Sequence, residues 1–221
     1  MDTFSLIAID PSLTGTGIAT YYDRGEIGIE LIKSERRERN CYICGKLIKN
    51  PYSKSHIKSK FHQQALKDKK EMNIDITPPI ESPSIEYTKR IVGIRDQIVT
   101  MCQERKYDYA IIEGLAYSSS GSVVFDLGGL SHMIREIFLK RNIKLIVIPP
   151  TVAKKYWTGK GNASKDDMVN ETKKRGWKIP FNYDDNCNDA FVFLQFLKDF
   201  VEETLDKEWI DKVEYSWKMN L

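Results

Sequence analysis

Four acidic residues stand where their carboxylates can act together. Asp10 follows the apolar run 4–9 and Glu113 follows the apolar run 109–112, so each is expected at the end of a buried strand. If those strands pair, the two carboxylates meet at one sheet edge. Asp185 and Asp189 lie four residues apart at the start of a helical segment, about one turn, and so face the same side. Crowded carboxylates raise one another's pKa unless divalent cations lie among them, and an all-oxygen donor set favours magnesium or manganese. Two such ions, roughly 3.5 to 4 Å apart, can activate a water and stabilise the leaving oxygen in phosphodiester hydrolysis. Each residue also has a plainer role, since a strand-terminal Asp commonly serves a turn and Asp185 is placed to cap a helix. The constellation carries the reading, not its members.

A second constellation has different chemistry. Cys41 and Cys44 are separated by two residues, eleven more precede His56, and five lie between His56 and His62. Two thiolates and two imidazoles at this spacing form the closed tetrahedral ligand set of one structural zinc ion. The long gap between the histidines is similar to that of matrin-type and double-stranded-RNA-binding fingers. His132, Cys102 and Cys187 have no such neighbours and read as a packed or surface histidine and two buried thiols.

The elements that must position these groups are legible from periodicity. Residues 4–9, 17–22 and 26–33 read as three antiparallel strands, with a turn at 23–25. Residues 34–83 then break the pattern with the Cys/His cluster, a basic helix-like tail and a linker holding Pro78, Pro79 and Pro83. A module over 38–80 is therefore expected, inserted in a domain made of 1–37 and 81–221. Beyond it, helical spacing over 85–106 and 123–141 alternates with short strands at 109–112 and 144–148, and helices over 165–175 and 189–203 follow. Such alternation predicts parallel pairing in the second half, giving an α/β fold with a mixed five-stranded sheet flanked by helices. The stretch 159–165 lacks the spacing of a nucleotide-binding loop and reads as a loop before a helix capped by Ser164, with Asp166 and Asp167 in its first turn.

Composition excludes several classes. The chain has 221 residues, 41% of them apolar, enough for a core. No apolar run approaches the roughly 18 residues of a membrane span, and residues 1–10 lack the regions of a signal peptide, so no membrane partner and a reducing cytoplasm are expected. Between Lys33 and Lys70 stand twelve lysines and arginines against three acids, a net of +9, so the remainder carries −6 of the overall +3. A basic block of this kind suits a phosphate backbone, and Lys58 and Lys60 are its candidate DNA contacts.

Four motifs occur in one order: residues 8–17 (Ala-Ile-Asp-Pro-Ser-Leu-Thr-Gly-Thr-Gly), 111–114 (Ile-Ile-Glu-Gly), 158–165 (Thr-Gly-Lys-Gly-Asn-Ala-Ser-Lys) and 185–190 (Asp-Asn-Cys-Asn-Asp-Ala). In that order the chain, apart from the insertion, resembles the RuvC-type Holliday junction resolvases of the RNase H-like fold, bacteriophage ones in particular. The resemblance implies a homodimer that cleaves branched DNA, in the host cytoplasm if phage-encoded. It implies two Mg2+ (or Mn2+) ions per site held by Asp10, Glu113 and Asp189, and a lysine near the scissile phosphate at Lys165. It also turns Lys160 and Lys165 toward DNA. The family places a further ligand three residues before the final Asp, where Asn186 stands; Asp185, one residue earlier, carries the charge and is preferred, with Asn186 as the competing assignment. Tyr117 and the serines 118–120 follow Glu113 closely and are candidate DNA contacts, with a plain polar loop as the alternative.

Three rival functions share parts of this pattern. A flap, fork or RNA-containing-duplex nuclease would keep the chemistry and change the substrate. A non-catalytic module acting through the finger would have no need of the acidic positions. A sugar-kinase-like protein would fit the turn 10–17 but requires a second phosphate loop that the sequence does not contain.

Overall fold

The computed structural model describes residues 4–22, 25–34, 39–41, 43–48, 54–74, 83–115 and 122–216. These divide into two compact units, one of residues 1–34 with 90–221 and one of residues 35–89.

The larger unit is built on a sheet whose first strand, β1 (Leu6–Asp10), is buried along its whole length. It is flanked on one side by β2 (Gly15–Tyr22), antiparallel with Asp10 opposite Gly17, and β2 by β3 (Glu26–Lys33), also antiparallel. In the smaller unit β4 (Arg39–Asn40) and β5 (Leu47–Ile48) form a two-stranded ribbon, followed by α1 (Lys54–Ile57) and α2 (Lys60–Glu71). The long helix α3 (Pro83–Glu104) buries Ile91, Ile94, Ile98 and Cys102 as one stripe. Then come β6 (Tyr109–Glu113), α4 (Ser122–Lys140) and β7 (Lys144–Ile148). Strand β6 runs parallel to β1 with Ile9 opposite Ile112, and β7 runs parallel to β6 with Ile148 opposite Glu113.

Five helices and a last strand follow in the described residues: α5 (Pro150–Thr158), α6 (Lys165–Lys174), α7 (Pro180–Tyr183), α8 (Asp185–Val201), α9 (Lys207–Ile210) and β8 (Glu214–Tyr215), with α7 and α9 single turns. The sheet order is β3-β2-β1-β6-β7-β8. The expected five strands are thus six. The last comprises two residues that pair antiparallel with Ile146 and Val147, held by the Ser216 amide on the Leu145 carbonyl at 2.9 Å. A segment this short has no period of its own, and its extended form is set by the edge it meets.

Strand alternation sorts the core into two faces. Leu6, Ala8, Ala19, Ile111 and Ile146 join the cluster around α8, whose Phe191, Phe193 and Phe196 are almost completely buried. Ile7, Ile9, Ile18 and Ile112, also buried, point the other way, where α4 meets β6 and β7. Helix α5, absent from the sequence-based expectation, buries Val152, Ala153 and Trp157, starts with Pro150 in its first turn and ends on Gly159 in the left-handed conformation, φ 80°. It is tied to α6 by the Trp157 indole N–H on Thr172 Oγ1 at 2.9 Å, and to α8 by the Tyr156 hydroxyl on Asp199 at 2.7 Å. Helix α6 opens with a capping box: Ser164 Oγ accepts from the Asp167 amide, and the Asp167 carboxylate accepts from the Ser164 amide. Among the described residues no helix is long and apolar enough to cross a membrane.

Candidate active site and metal cluster

Asp10 and Glu113 are the last residues of β1 and β6, and because Ile9 faces Ile112 in parallel register the two carboxyls leave the sheet at one level. Open α/β sheets build sites at the carboxyl ends of parallel strands. Asp189 is delivered by α8, and this requires a glycine on β2. A Cβ on Gly17 would collide with the backbone carbonyl of Asn186, so only a residue without a side chain lets the start of α8 come so close. The Asn186 side chain then donates from Nδ2 to the Gly15 carbonyl at 2.6 Å and pins the helix there.

The loop after Asp10 is stiffened by hydroxyls. Thr16 Oγ1 donates to the Ser12 carbonyl at 2.9 Å, and the Ser12 and Thr14 hydroxyls lie 3.2 Å apart. Farther along, the Ser34 hydroxyl and the Arg90 guanidinium both donate to the Leu13 carbonyl, and Arg90 Nε also donates to Ser34 Oγ at 3.1 Å. Arg90 therefore clamps this loop to the end of β3.

A cleft of about 420 Å³ opens over these groups, and its lining includes Asp10, Glu113, Asp189, Asn186, Lys154 and Lys165. Burial, then the Glu113 and Asp189 charges, raises Asp10 far above the usual carboxylate range. Burial and Asp189 push Glu113 up to about 7 against the pull of Lys154 and Lys165. Burial pushes Asp189 up to about 6, opposed by Lys165 and assisted by Asp185. Asp10 and Glu113 act on each other directly, and each is raised chiefly by burial. One buried and two half-buried carboxyls, each raised in this way, need either a proton or a positive charge beside them. For Lys165, burial pulls its pKa down, but the bond to Asp185 and the Asp185, Asp189 and Asp10 charges outweigh it and hold it high.

The titration has a stability consequence. A carboxyl whose folded pKa lies above its unfolded value stabilises the fold fully below the unfolded value, about 4, and loses that contribution as pH rises through the folded value. With Glu113 near 7 and Asp189 near 6, the cation-free protein is expected to lose on the order of a few kcal/mol between about pH 5 and pH 8. A divalent cation should offset this, so the rise in Tm on adding magnesium chloride should be several degrees at pH 8 and small at pH 5.5. An equal rise at both pH values would place the cation elsewhere.

Not every residue singled out from the sequence reaches the cleft. Asp185 lies outside the lining and forms an ion pair with Lys165, Nζ to Oδ2 2.9 Å, with both side chains well exposed. It is not the helix cap either. That is Asp184, whose carboxylate accepts from the Asn186 amide at 3.1 Å. Asn186 faces the cleft. Lys160 is exposed on the turn between α5 and α6, and Tyr117 with serines 118–120 lies outside the described residues. Lys154, on α5, was missed by sequence reasoning. The signal was the strand 144–148 running parallel beside the one that ends at Glu113, because a helix starting at Pro150 must put its first turns at the carboxylate edge. Cys102 and Cys187 are buried thiols, and His132 is an exposed histidine whose Nδ1 meets the Gly128 carbonyl at 2.8 Å.

In the smaller unit Cys41, Cys44, His56 and His62 form a metal-binding cluster, their ligand atoms all within 4.8 Å of one another. Cys41 Sγ lies 3.5 Å from His62 Nδ1, Cys44 Sγ 3.6 Å from His56 Nε2, and the two imidazole nitrogens are 3.1 Å apart. A tetrahedral ion at ordinary metal–sulfur and metal–nitrogen lengths needs such atoms about 3.5 Å apart, so the residues fit the group. Backbone bonds shape the thiolate turn, with Gly45 N donating to the Cys41 carbonyl at 2.7 Å. Burial, then the charges of His62 and Lys46, lowers the His56 pKa, the direction that favours the neutral ring a metal ligand needs.

No protein-family model matches the chain, and no curated protein matches it in sequence. Solved structures do match. RuvC of Thermus thermophilus superimposes with a TM-score of 0.54 at 12% identity, over 96% of this chain and 99% of that one. T. thermophilus RuvC in complex with a Holliday junction substrate gives 0.54 at 11% identity, over 91% and 96%. At such identity the shared property is the architecture: the chain has a RuvC-like α/β fold.

Proposed function

We propose that the protein is a structure-specific endonuclease that cleaves branched DNA, Holliday junctions foremost, using magnesium. The observation that carries this reading is the cleft in which Asp10, Glu113 and Asp189 crowd together beside Lys154 and Lys165. Asp10, Glu113 and Asp189 would hold two magnesium ions, with the Asn186 amide oxygen or the Asp185 carboxylate as a further ligand. Bound there, magnesium supplies Lewis acidity that activates water and offsets charge on the leaving oxygen. Lys165 and Lys154 draw a backbone phosphate toward the carboxylates, and Lys165 exchanges its Asp185 partner for that phosphate. Lys160, Tyr117, Lys58 and Lys60 add DNA contacts. The Cys/His cluster holds one zinc ion, a structural one, since four protein ligands leave no open position. A homodimer would present two clefts to the two symmetric cleavage points of a four-way junction, in the cytoplasm where thiolates stay reduced.

The test is cleavage of a synthetic four-way junction beside flap, fork, linear duplex and RNA/DNA duplex by the zinc-loaded protein, with magnesium and with magnesium withheld. Paired nicks in the junction, only with magnesium, are expected. Absence of cleavage of every substrate would overturn the proposal, and preference for flaps or RNA/DNA would reassign the substrate. The further ligand is decided by substitution. If Asp185 holds metal, Asp185→Asn should cost far more activity than Asn186→Ala, roughly a hundredfold against tenfold. The reverse order assigns the role to Asn186 and leaves Asp185 as the resting partner of Lys165.

A further inference from the structure

The Cys/His unit carries an aromatic ring that its own packing does not use. Phe61 is 62% exposed in the first turn of α2, and Ile57, four residues earlier, is 39% exposed. The reason is rotational: the next residue, His62, is buried toward the metal cluster, and a step of about 100° along the helix turns Phe61 outward. The segment presenting it is held firmly. Ser59 Oγ caps α2 by accepting from the His62 amide, Ser59 N donates to the His56 carbonyl at 3.0 Å, and Gln63 Nε2 donates to the Ile57 carbonyl at 2.7 Å.

The surroundings of the ring are basic. Lys58 and Lys60, three residues and one residue before it in sequence, are exposed, and the first turn of α2 has no acid. The acids of α2 come later and are engaged along the helix, Asp68 with Gln64 at 2.7 Å and Glu71 with Lys67 at 3.8 Å. A phosphate polymer with accessible base planes complements both the lysines and the ring. Continuous duplex complements only the lysines, because its base planes are covered by stacking.

We propose that Phe61 stacks on an unpaired base of DNA while Lys58 and Lys60 hold the adjacent phosphates, so that the zinc module selects strands opened at a branch rather than uninterrupted duplex. This rests on the reading that the protein acts on DNA, but not on its cutting it.

The experiment uses the full-length, zinc-loaded chain carrying Asp10→Asn to prevent cleavage, with dye-labelled single-stranded DNA, the matching duplex and a four-way junction. Affinity is measured between about 50 and 200 mM salt, where phosphate contacts set the slope. Phe61→Ala and Phe61→Leu should weaken single-strand binding roughly tenfold, leave duplex binding and the salt slope unchanged, and retain zinc; Phe61→Tyr should bind like the parent. Paired Lys58→Gln and Lys60→Gln should instead flatten the slope for every probe. Phe61→Leu keeps the apolar bulk of the helix, so it remains informative if the alanine variant loses zinc. Unchanged single-strand affinity in Phe61→Leu, or an equal loss on duplex and single strand, would overturn the proposal. Should Phe61-dependent binding hold while the wild-type chain cuts nothing, the nuclease reading fails and this one stands.

Discussion

Replacement of Asp10 by Asn, of Glu113 by Gln or of Asp189 by Asn is expected to abolish cleavage while leaving junction binding intact. Each substitution keeps the shape of the side chain and removes the charge that attracts the cation, so the loss falls on the chemical step and should exceed about a hundredfold. In the proposed reading binding rests on lysines that the substitutions leave in place, among them Lys154 and Lys165, which line the cleft. The same variants have a second readout that separates a metal site from a merely structural cluster. Because burial and mutual repulsion raise these carboxyls, an uncharged amide should relieve the cation-free protein, and Glu113→Gln should melt above wild type at pH 8 without magnesium. With magnesium present the order should reverse. Wild-type cleavage in any one variant removes that residue from the site, and lower stability of all three without cation would mark them as structural polar groups.

Exchange of residues 38–80 for a short flexible loop should leave a folded enzyme that binds junctions more weakly and with less dependence on salt. The exchanged segment carries nine lysines and arginines against four acids, and none of the residues proposed to hold magnesium. It ends before Pro83, so α3 and its buried stripe of Ile91, Ile94 and Ile98 stay whole. Fewer phosphate contacts release fewer counterions, and a fall in slope of at least about 2, with a tenfold or larger loss of affinity near physiological salt, is expected. Magnesium-dependent cutting should persist at high enzyme concentration. Loss of all cutting in a variant that still folds would assign the module a part in catalysis, whereas unchanged affinity and slope would point to a protein partner.

The parts of this site that could be read in advance are those written as short-range pattern. An apolar run closed by an acid describes both β1 and β6, and the Cys/His spacing describes the cluster, because in each case the neighbours that matter are close in sequence. Ser164 as cap of α6 is of the same kind. Other features were set by distant partners. Helix α5 offers two turns between Pro150 and Gly159, too few for a periodicity, and its register comes from Trp157 meeting Thr172; Lys154 was hidden with it. Adjacent acids at 184 and 185 are equally good caps on paper. The extended ψ of 131° at Asp184 makes it the cap and leaves Asp185 free for Lys165. Asn186, in turn, is oriented by the Gly15 carbonyl on a strand 171 positions away.

The clamp of Arg90 on Ser34 and Leu13 bears on how a segment of this size can be inserted in a compact unit. The two residues that bracket the intervening segment 35–89 touch side chain to side chain, so the larger unit meets the whole excursion as it would a hairpin connection. Closing a flexible loop costs only the logarithm of its length, and lengthening a five-residue connection to one of this size adds about 2 kcal/mol. The junction at Ser34 and Arg90 is therefore a grafting point. Foreign binding modules of widely different length, inserted there with the clamp retained, should leave the larger unit folded and give the cleft a new address.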